Sequence, residues 1–346
     1  MNTEIISCND PDFDSKLECA ARIIRNGGLV VFPTETVYGL GADATSAEAA
    51  RRIYSAKGRP SDNPLIIHVS EPADASDYAY TNDTYFLLAG KYMPGPLTVI
   101  LEARESIPPE TRGGLGTVAV RCPEHPIARR LIELSGVPIA APSANLSGSP
   151  SPTTASHVID DMMGRVDVII DGGRADFGLE STIVKVESDG SLTLLRPGKI
   201  TPDMLKRDFK LNVASAVTAE LREGERALSP GMKYKHYAPS SPLVILDGEV
   251  DKCVDYIDKQ RQNKIAVLCY DEDSEALSKS SKPITLYHLG KREDEATAAH
   301  RLFDLLRLVD KQDYDIIYAP LPSREGIGLA IYNRLIRAAA HTIIKL

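Results

Sequence analysis

Two neighbouring cations, Lys57 and Arg59, stand just before a strand-like apolar run in the segment KGRPSDNPLIIHV. A lysine offers a compact positive charge, and an arginine offers a planar fork that matches a phosphate or a carboxylate. Asn63, in the same segment, can add an amide contact. Loops between a helix and a strand are common ligand sites in α/β domains, so the segment predicts an anion site. A lone K-x-R is more often a solvated helix end, and the neighbouring segments must decide.

Three further segments also place polar side chains at the ends of apolar, strand-forming stretches. They are PTETVYGLGADA from Pro33, VAVRCPEHP from Val118 and APSANLSGSPSPTT from Ala141. Open α/β sheets assemble their ligand crevices from such strand ends. Each segment taken alone is more often a capped turn than a site. Taken together, the four segments predict one crevice lined by hydroxyls, an amide and cations.

The chain lacks the common nucleotide-binding and hydrolytic motifs. It contains no G-x-x-x-x-G-K-[ST], no G-x-S-x-G and no H-E-x-x-H, and its Gly114-x-Gly116-x-x-Ala119 pattern precedes a strand instead of following one. The 5 cysteines are odd in number and widely spaced. This pattern favours reduced thiols over a disulfide framework or a zinc site.

Composition and charge weigh against two classes of protein. The formal net charge of -8 argues against a protein that coats nucleic acid, so no stable nucleic-acid binding is expected. No apolar run approaches the ~20 residues of a membrane span, so no membrane insertion is expected. The N-terminal stretch has neither the basic start nor the apolar core of a signal peptide, which predicts a cytoplasmic protein.

Strand-like and helical stretches alternate in an order that predicts a large mixed sheet with helices. The helix SAEAARRIYSAK is expected to open with a capping box of Thr45 and Glu48 and to deliver Lys57 and Arg59 at its C-terminal end. Both cations are expected to be exposed there and to contribute little to stability. The predicted strands of this part are LVVFP, PLIIHV, LTVILEA, TVAVR, VPIAA, VDVII, STIVKV and LTLL.

The alternation loosens near Leu211 and restarts after Pro242. The strands and helices after Pro242 predict a smaller Rossmann-like α/β domain. We therefore expect an α/β protein with a large mixed twisted sheet, plus this smaller C-terminal domain. The expected boundaries are 1–210 for the catalytic domain, 211–241 for a linker or lid, and 242–346 for the C-terminal domain.

Six motifs along the chain are similar, in order and spacing, to those of one family. PTETVYGLGADA, K-x-R with NPLIIHV, PGPLTVIL, VAVR-P-H-P, APSAN-SG-PSPT and SPGMKYKHYAP resemble the motifs of the YrdC-like L-threonylcarbamoyladenylate synthases. These motifs span Ile23 to Pro239. The part from Pro242 onward resembles the extra C-terminal domain of the longer, two-domain members.

The resemblance implies that L-threonine, bicarbonate and ATP become threonylcarbamoyl-AMP and pyrophosphate, the first step of tRNA threonylcarbamoyladenosine formation. A carbamate is a poor electrophile because its leaving group would be oxide, so it must be activated at the α-phosphate of ATP. Cations must then stabilise the departing pyrophosphate. The resemblance also implies a nucleotidyltransferase, Mg²⁺ that arrives with ATP without a protein-encoded metal site, and a downstream tRNA threonylcarbamoyl transferase as partner.

The resemblance assigns the site residues in three groups. The catalytic clamps are Lys57 and Arg59. The threonine contacts are Thr36, His68, Arg121, Ala141 and Ser181. The nucleotide contacts are Arg59, Asn63, Thr117, Ser143, Asn145, Ser151, Arg196, His236 and Tyr237.

Several of these residues could instead have a purely structural role, such as core packing or turn capping. Arg121 ends a predicted strand and suits a bidentate contact with the threonine carboxylate. A histidine inside an apolar run, such as His68, is more often a core residue than a ligand. The short side chains of the S-x-N element could merely cap turns. The segment SPGMKYKHYAP, from Ser229, is expected to close over the site as a lid, or else to fix the linker permanently to the first domain.

Two other functions remain open on the sequence. One is a module that binds double-stranded RNA through the cationic crevice, against which the acidic balance of the chain weighs. The other is carbamoyl transfer to a different acceptor, as in related domains of carbamoyltransferases. The absence of zinc-finger or acylphosphatase-like sequence weighs against that alternative.

Overall fold

The structure, a computed structural model, describes residues 2–219, 229 and 237–346 as two compact α/β units. The first unit contains 2–147 and Ser151–Val217, and the second contains Gly148–Pro150 and 237–346. The expected lid residues Pro230 to His236 lie outside the described residues. No described helix is long and apolar enough to cross a bilayer.

The first unit is built on one large sheet, whose strands form where apolar and β-branched residues cluster. The strands are β1 (Glu4–Ser7), β2 (Val30–Phe32), β3 (Gly39–Asp43), β4 (Ile66–His68), β5 (Ala79–Tyr80), β6 (Leu97–Ala103), β7 (Thr117–Arg121), β8 (Ile139–Ala140), β9 (Val168–Asp171), β10 (Thr182–Val186), β11 (Leu192–Arg196) and β12 (Leu211–Val213).

Both parallel and antiparallel pairs occur within this 12-stranded sheet. Its order is β1-β9-β2-β3-β8-β4-β7-β6-β10-β11-β12, with β5 on β6. For example, β4 pairs with β7 in parallel and with β8 antiparallel. The prediction of a large mixed sheet is confirmed, and every strand predicted for this unit is present.

Strand β3 was not among the predicted strands because two glycines interrupt its apolar pattern. A Cβ on Gly41 would stand 2.7 Å from both the Phe32 ring and the Ile139 side chain. Glycine is therefore required where β3 passes between these side chains in neighbouring strands. This close approach lets the motif PTETVYGLGADA turn back into the sheet directly after its polar residues.

The helices of this unit cover the sheet with their apolar faces. Leu17 and Ile24 of the first helix pack in one core cluster with Leu131 of the fourth helix and with Phe32. The helices are α1 (Phe13–Arg25), α2 (Ala47–Lys57), α3 (Asp83–Tyr92), α4 (Pro126–Ser135), α5 (Ala155–Met162) and α6 (Pro202–Lys206), with short 3₁₀ helices at Pro72–Asp77 and Ser215–Val217.

The expected capping box of α2 is wrong by one residue. The N-cap is Ser46, whose hydroxyl accepts a hydrogen bond from the Ala49 amide at 3.2 Å. Thr45 instead donates its hydroxyl hydrogen to Asp43 Oδ1 at 2.7 Å, because the turn after β3 places that carboxylate beside it. The far end of α2 is as expected: Lys57 is its last residue, and Gly58 ends the helix with φ +62°.

The first unit continues past residue 210, where the sequence had suggested a boundary. Strand β12 pairs in parallel with β11, and Leu192 lies opposite Leu211. Ala216 and Val217, in the 3₁₀ helix that follows, are buried. A short strand at a sheet edge carries too weak an apolar pattern to be recognised from sequence.

The second unit holds a 5-stranded sheet in which every pair is parallel. Its strands are β13 (Leu243–Asp247), β14 (Ile265–Tyr270), β15 (Ile284–Gly290), β16 (Ile316–Pro320) and β17 (Ile343–Lys345). Its helices are α7 (Val250–Asp258), α8 (Ser274–Leu277), α9 (Glu295–Asp310) and α10 (Gly328–Ala338), with a 3₁₀ turn at Asp271–Asp273.

This parallel sheet with its helices confirms the predicted small α/β domain. Its strand order is β15-β14-β16-β13-β17, so the fourth strand of the domain lies between the second and the first. A dinucleotide-binding domain has its first strand in that place, so the order differs from the Rossmann order. Sequence alternation indicates that strands are parallel, but it does not fix which strands become neighbours.

Candidate active site

Lys57 lies inside the protein and not on an exposed loop. Its side chain is only 2 % exposed, and its ammonium donates hydrogen bonds to the carbonyls of Ser143, at 2.5 Å, and Asn145. The expectation that Lys57 is exposed is therefore wrong. The carbonyls come from a loop far along the chain, and the α2 C-terminus points the lysine at them. The arrangement brings a predicted catalytic residue against the predicted nucleotide element S-x-N.

The S-x-N element is itself held in one conformation. The Ser143 hydroxyl donates to Asn145 Oδ1 at 2.6 Å, and the Asn145 amide nitrogen donates to the Leu146 carbonyl at 2.7 Å. The backbone is fixed as well, because the Ala144 amide donates to the Tyr38 carbonyl at 2.8 Å. Hydrogen bonds within the protein thus fix the polar atoms of this element in one arrangement.

Arg59 is half-buried in the turn after α2. Its guanidinium donates to the carbonyls of Asn63, at 3.3 Å, and Pro64, at 3.1 Å. Asn63 is buried, and its Oδ1 has no hydrogen-bond partner among the described residues. A buried acceptor of this kind is costly unless a ligand or water satisfies it, which supports a ligand contact at Asn63.

His68 and Arg121 are neighbours because of strand register. Strands β4 and β7 are parallel, and His68 lies directly opposite Arg121 at their carboxyl ends. Ala141, which follows β8, donates its amide to the Ile66 carbonyl at 2.8 Å. His68 and Arg121 therefore lie at the carboxyl ends of adjacent parallel strands, where α/β proteins place ligand sites, and Ala141 lies beside the start of β4.

Glu35 was missed by sequence reasoning, although it stands in the motif PTET. The Glu35 carboxylate accepts a hydrogen bond from Arg121 Nη2 at 2.6 Å, and both side chains are about 5 % exposed or less. Its second oxygen, Oε2, is buried without a partner among the described residues. A carboxylate within apolar sequence was the available signal, but its partner could not be known without the sheet order.

The electrostatics of this pair favour the charged form of Glu35. Burial raises the pKa of the Glu35 carboxyl, but the nearby Arg121 guanidinium outweighs burial and leaves the pKa below its usual value. Arg121 also donates to the Gly95 carbonyl at 3.4 Å. The site thus presents a fixed cation beside an anion with an unused oxygen, a combination that suits a zwitterion such as an amino acid.

His68 is uncharged in this setting. Burial, reinforced by the positive charge of Arg121, lowers the pKa of His68 to about 3. Its Nδ1 lies 3.3 Å from the Ile139 carbonyl, and its ring stands edge-on to Phe32 with centroids 6.1 Å apart. A neutral imidazole can pack against or hydrogen-bond a substrate, but it cannot act as a proton donor near pH 7.

The depressed pKa of His68 predicts a loss of stability in mild acid. The histidine of the unfolded chain takes up a proton near its ordinary pKa of 6.5, whereas the folded protein resists protonation down to about pH 3. Stability from this group is therefore lost as the pH falls from 6.5 toward 3. Between pH 7 and pH 5 the loss amounts to about 2 kcal/mol. We expect urea titrations to show this excess loss in the wild type relative to His68→Gln, and equal pH dependences would contradict it.

Ser181 contacts one other predicted site residue, Arg196, and also Thr98, which sequence reasoning did not single out. Its hydroxyl lies 2.8 Å from the Thr98 hydroxyl and accepts a hydrogen bond from Arg196 Nη2 at 3.1 Å. Arg196 also donates from Nε to the Ser181 carbonyl at 3.0 Å. All three side chains are buried. A predicted nucleotide residue therefore holds a predicted threonine residue in place.

Backbone hydrogen bonds join this group to the loop that carries Thr36 and Glu35. The amides of Phe177 and Gly178 donate to the carbonyls of Glu35, at 2.9 Å, and Thr36, at 3.2 Å. The Thr36 hydroxyl lies 2.9 Å from that of Thr34, and both residues are buried. Glu35, Thr36 and the loop that leads to Ser181 thus form one hydrogen-bonded cluster.

The remaining predicted residues are less closely connected to this cluster. Ser151 is buried and donates to Glu180, another buried carboxylate that sequence reasoning missed. Thr117, at the start of β7, is half-buried opposite Glu102. The Tyr237 ring packs on Phe303 within the second unit, with centroids 5.0 Å apart.

All the nucleotide contacts stay predictions, and two of them, His236 and Tyr237, differ from the others in what the structure describes. His236 lies outside the described residues. Tyr237 is buried and adopts φ +63°, an uncommon conformation for a residue with a side chain. The Tyr237 ring packs on Phe303. This packing does not test the predicted contact of Tyr237 with a nucleotide.

The described residues do not supply a metal-binding cluster. No group of three or more histidine, cysteine, aspartate or glutamate side chains in 2–219, 229 and 237–346 is arranged to hold a metal ion. Glu35 is engaged by Arg121, and Glu180 accepts from Ser151. These carboxylates do not fit a dedicated Mg²⁺ site, which would need near-octahedral oxygen ligands.

Two protein-family models together match most of the chain. The Sua5/YciO/YrdC model, described as "Telomere recombination", matches residues 22–198. A model described as "Threonylcarbamoyl-AMP synthase, C-terminal domain" matches residues 200–340. The two matches correspond to the mixed-sheet unit and, in the main, to the parallel-sheet unit.

Several full-length proteins are similar to this chain. A threonylcarbamoyl-AMP synthase of Pyrococcus abyssi is 41% identical, with 99% of each chain covered. One of Bacillus subtilis is 40% identical, covering 99% of this chain and 97% of its own length. The crystal structure of Pyrococcus abyssi Sua5 complexed with L-threonine has a TM-score of 0.87 at 38% identity and covers 100% of both chains.

A second Pyrococcus abyssi structure agrees with the first. It is a Sua5 variant in which a histidine and a tyrosine are replaced by alanine, with a TM-score of 0.89, 38% identity, and coverage of 99% of this chain and 98% of that one. Fold, motifs and length therefore agree over both units. The chain belongs to the Sua5/YciO/YrdC family, in the form that carries the threonylcarbamoyl-AMP synthase C-terminal domain.

Proposed function

We propose that this chain joins L-threonine, bicarbonate and ATP into L-threonylcarbamoyl-AMP and pyrophosphate, the first step of threonylcarbamoyladenosine formation in tRNA. The observation that carries the proposal is the buried Arg121–Glu35 pair, together with the hydrogen-bonded S-x-N element, in a chain similar over its full length to threonylcarbamoyl-AMP synthases. The pair suits a zwitterionic amino acid, and the cations near S-x-N suit the phosphates of a nucleotide.

The proposed reaction has two bond-forming steps. The threonine amine first combines with bicarbonate to give a carbamate and water. A carbamate oxygen then attacks the α-phosphorus of ATP, the bond to the β-phosphate oxygen breaks, and pyrophosphate leaves. This second step makes the protein a nucleotidyltransferase, and it needs stabilisation of negative charge more than it needs proton transfer.

The side chains have separate roles in this proposal. Arg121 binds the threonine carboxylate as a planar fork, and Glu35 positions Arg121 and offers Oε2 to the α-amino group. Arg59 stabilises the phosphates. Lys57 holds the backbone of the S-x-N element against the nucleotide, and its charge adds to the field at the phosphates.

Water must be excluded, because a carbamate loses carbon dioxide and its mixed anhydride with AMP hydrolyses. Mg²⁺ comes with ATP and neutralises phosphate charge. We place the activity in the cytoplasm, where a tRNA threonylcarbamoyl transferase takes over the labile product. The nucleotide contacts of Thr117, Ser151, Arg196, His236 and Tyr237 belong to this proposal.

The test is the dependence of pyrophosphate release on both small substrates. With ATP and Mg²⁺ present, we expect pyrophosphate only when threonine and bicarbonate are added together, because the carbamate must exist before it can attack ATP. Mass spectrometry should find threonylcarbamoyl-AMP, and neither ADP nor phosphate should appear as a direct product. ATP breakdown at the same rate without an amino acid would instead indicate a plain ATPase.

A further inference from the structure

The second unit contains a large cavity that the proposed reaction does not use. Its volume is about 560 Å³, within the range of small-molecule sites. It is lined by the ends of β13, β14 and β16 together with residues of α7 and α8. All of its lining residues fall in 246–346, within the second unit.

The cavity exists because one face of the parallel sheet is poorly covered. The helices on this face are short: α7 has 9 residues and α8 has 4. Apolar side chains around them, such as Val250, Val254 and Leu286, are therefore only partly buried although they pack against the core cluster. Helices α9 and α10, which pack on each other, are longer, with 16 and 11 residues.

Strand connections place the cavity at a topological switch point. After β14 the chain continues to β15, on one side of it, and after β16 it continues to β17, toward the opposite edge of the sheet. Right-handed crossovers that run in opposite directions lie on opposite faces, so the chains leaving neighbouring strands β14 and β16 diverge. Open α/β sheets bind ligands in the crevice that such divergence creates.

The lining combines an apolar floor with charged groups of both signs. Val267, Leu277 and Tyr318 contribute buried apolar surface. Asp247 and Asp273 contribute carboxylates. A flat apolar group can lie on the floor, and the carboxylates can accept hydrogen bonds from hydroxyl groups.

Arg292 is held at the edge of this cavity by three contacts. Its Nη2 donates to Asp273 at 2.6 Å, its guanidinium lies 4.5 Å from the centre of the Tyr270 ring, and its amide donates to Glu272. The Asp273 side chain is 16% exposed and that of Arg292 is 53% exposed. A guanidinium has five N–H donors. Arg292 uses one nitrogen for Asp273, so its other N–H groups can donate to an anionic group. Lys252 also lines the cavity.

We propose that this cavity binds a nucleoside, free or as its 5′-phosphate, at a site separate from the candidate active site. The base lies on the floor formed by Val267, Leu277 and Tyr318. The ribose hydroxyls donate to Asp247 and Asp273, and a phosphate, where present, pairs with Arg292 and Lys252. The apolar floor thus matches the base, the carboxylate acceptors match the ribose hydroxyls, and the cationic donors match a phosphate. A simple anion or a simple hydrocarbon would use only one of these three features.

The native thiol of Cys253 can be used to detect ligand binding in this cavity. It is half-buried, lines the cavity, and donates weakly to the Gly248 carbonyl with an S–O distance of 3.7 Å. Burial and the carboxylates of Asp273, Glu249 and Asp247 raise the pKa of its thiol, so alkylation is slow but measurable in mild base. A ligand on the cavity floor would shield the thiol from iodoacetamide.

The experiment uses the full chain, with adenosine and AMP as probes. Calorimetry measures binding, and peptide mass spectrometry follows alkylation of Cys253 separately from exposed Cys19. At an adenosine concentration tenfold above the dissociation constant we expect alkylation of Cys253 to slow about tenfold, with Cys19 unchanged. Val267→Phe, which fills the cavity, should abolish this protection. Arg292→Ala, at the exposed rim, should weaken AMP at least about tenfold more than adenosine.

The result separates this site from the active site. Binding by calorimetry with no protection of Cys253 would place the nucleoside outside this cavity and overturn the proposal. An absence of binding up to ~1 mM, the weak end of the affinity range, would overturn it as well. Protection that persists in a folded Val267→Phe protein would show that the ligand does not lie on this floor. Loss of protection in Val267→Phe, with the AMP-specific effect of Arg292→Ala, would support it.

Discussion

Arg59→Ala is expected to lower the rate of threonylcarbamoyl-AMP formation about 100-fold or more, because one preorganised donor to a developing negative charge is usually worth that much. Arg59 donates hydrogen bonds to two backbone carbonyls, of Asn63 and Pro64, so its removal also costs about 1–2 kcal/mol of stability. That loss leaves a typical domain folded, so the loss of rate must come from the chemistry. Rates of pyrophosphate release and thermal unfolding measured on the same preparation check both parts.

A nearby cation provides the matched control. Arg51 lies in α2, the helix that precedes Arg59, with a 53% exposed side chain, and it pairs with Glu48 and Glu110 on the surface. Arg51→Ala should leave the rate unchanged and alter stability by less than about 1 kcal/mol. Arg59→Lys should recover part of the rate, since it keeps the charge and loses the planar fork. Near-normal turnover of Arg59→Ala would return this residue to the role of a helix-end cation.

Sequence patterns predicted the regular elements well where apolar residues alternate or repeat. They placed Lys57 at the C-terminal end of α2, and the structure confirms this position, although the capping box on which the helix was predicted is shifted by one residue. They did not predict that Lys57 is buried, because the carbonyls that bind it belong to Ser143 and Asn145, 86 and 88 residues away. Burial of a charged side chain depends on which distant loop lies over it, and local pattern carries no such information.

The same limit applies to the candidate site. The family motifs identified Arg121, and the strand register explains why it lies beside His68. The pairing of Arg121 with Glu35 joins residues 86 positions apart and follows from the order of β2, β3, β8, β4 and β7 in the sheet. Strand β3 was not predicted for a related reason. Its glycines interrupt the apolar pattern, and they are needed because side chains of the neighbouring strands lie close to them, which the local sequence does not reveal.

In the second unit, the sequence predicted the alternation of strands and helices, which is clearest where apolar residues form a long regular face, as in α9. The position of β16 between β14 and β13 was not predictable, because several strand orders satisfy the same alternation of helix and strand. The cavity beside α7 depends on that order and on two short helices. Its ligand site could therefore be inferred only from the structure.

The largest effect on stability is expected at the Arg121–Glu35 pair. Replacing Glu35 by Leu leaves the Arg121 guanidinium buried without its counter-charge, which should cost about 3–5 kcal/mol. Arg121→Met should cost a similar amount, because it leaves the Glu35 carboxylate buried without a counter-charge. The double variant Glu35→Leu/Arg121→Met removes both charges and restores apolar packing. Its loss in free energy of unfolding should therefore be smaller than the sum of the two single losses by at least ~2 kcal/mol. Urea unfolding of the four proteins at pH 7 measures this coupling.

A surface pair with the same geometry tests whether burial is the cause. Arg51 and Glu110 also lie 2.6 Å apart, but their side chains are 53% and 35% exposed, against 5% and 4% for Arg121 and Glu35. Water and salt screen the exposed pair, so its coupling in the same type of cycle should be below about 1 kcal/mol. Equal couplings for the two pairs, or strictly additive losses at Arg121 and Glu35, would mean that the buried pair is not a coupled unit. In that case Glu35 would not be the residue that positions Arg121 for the threonine carboxylate.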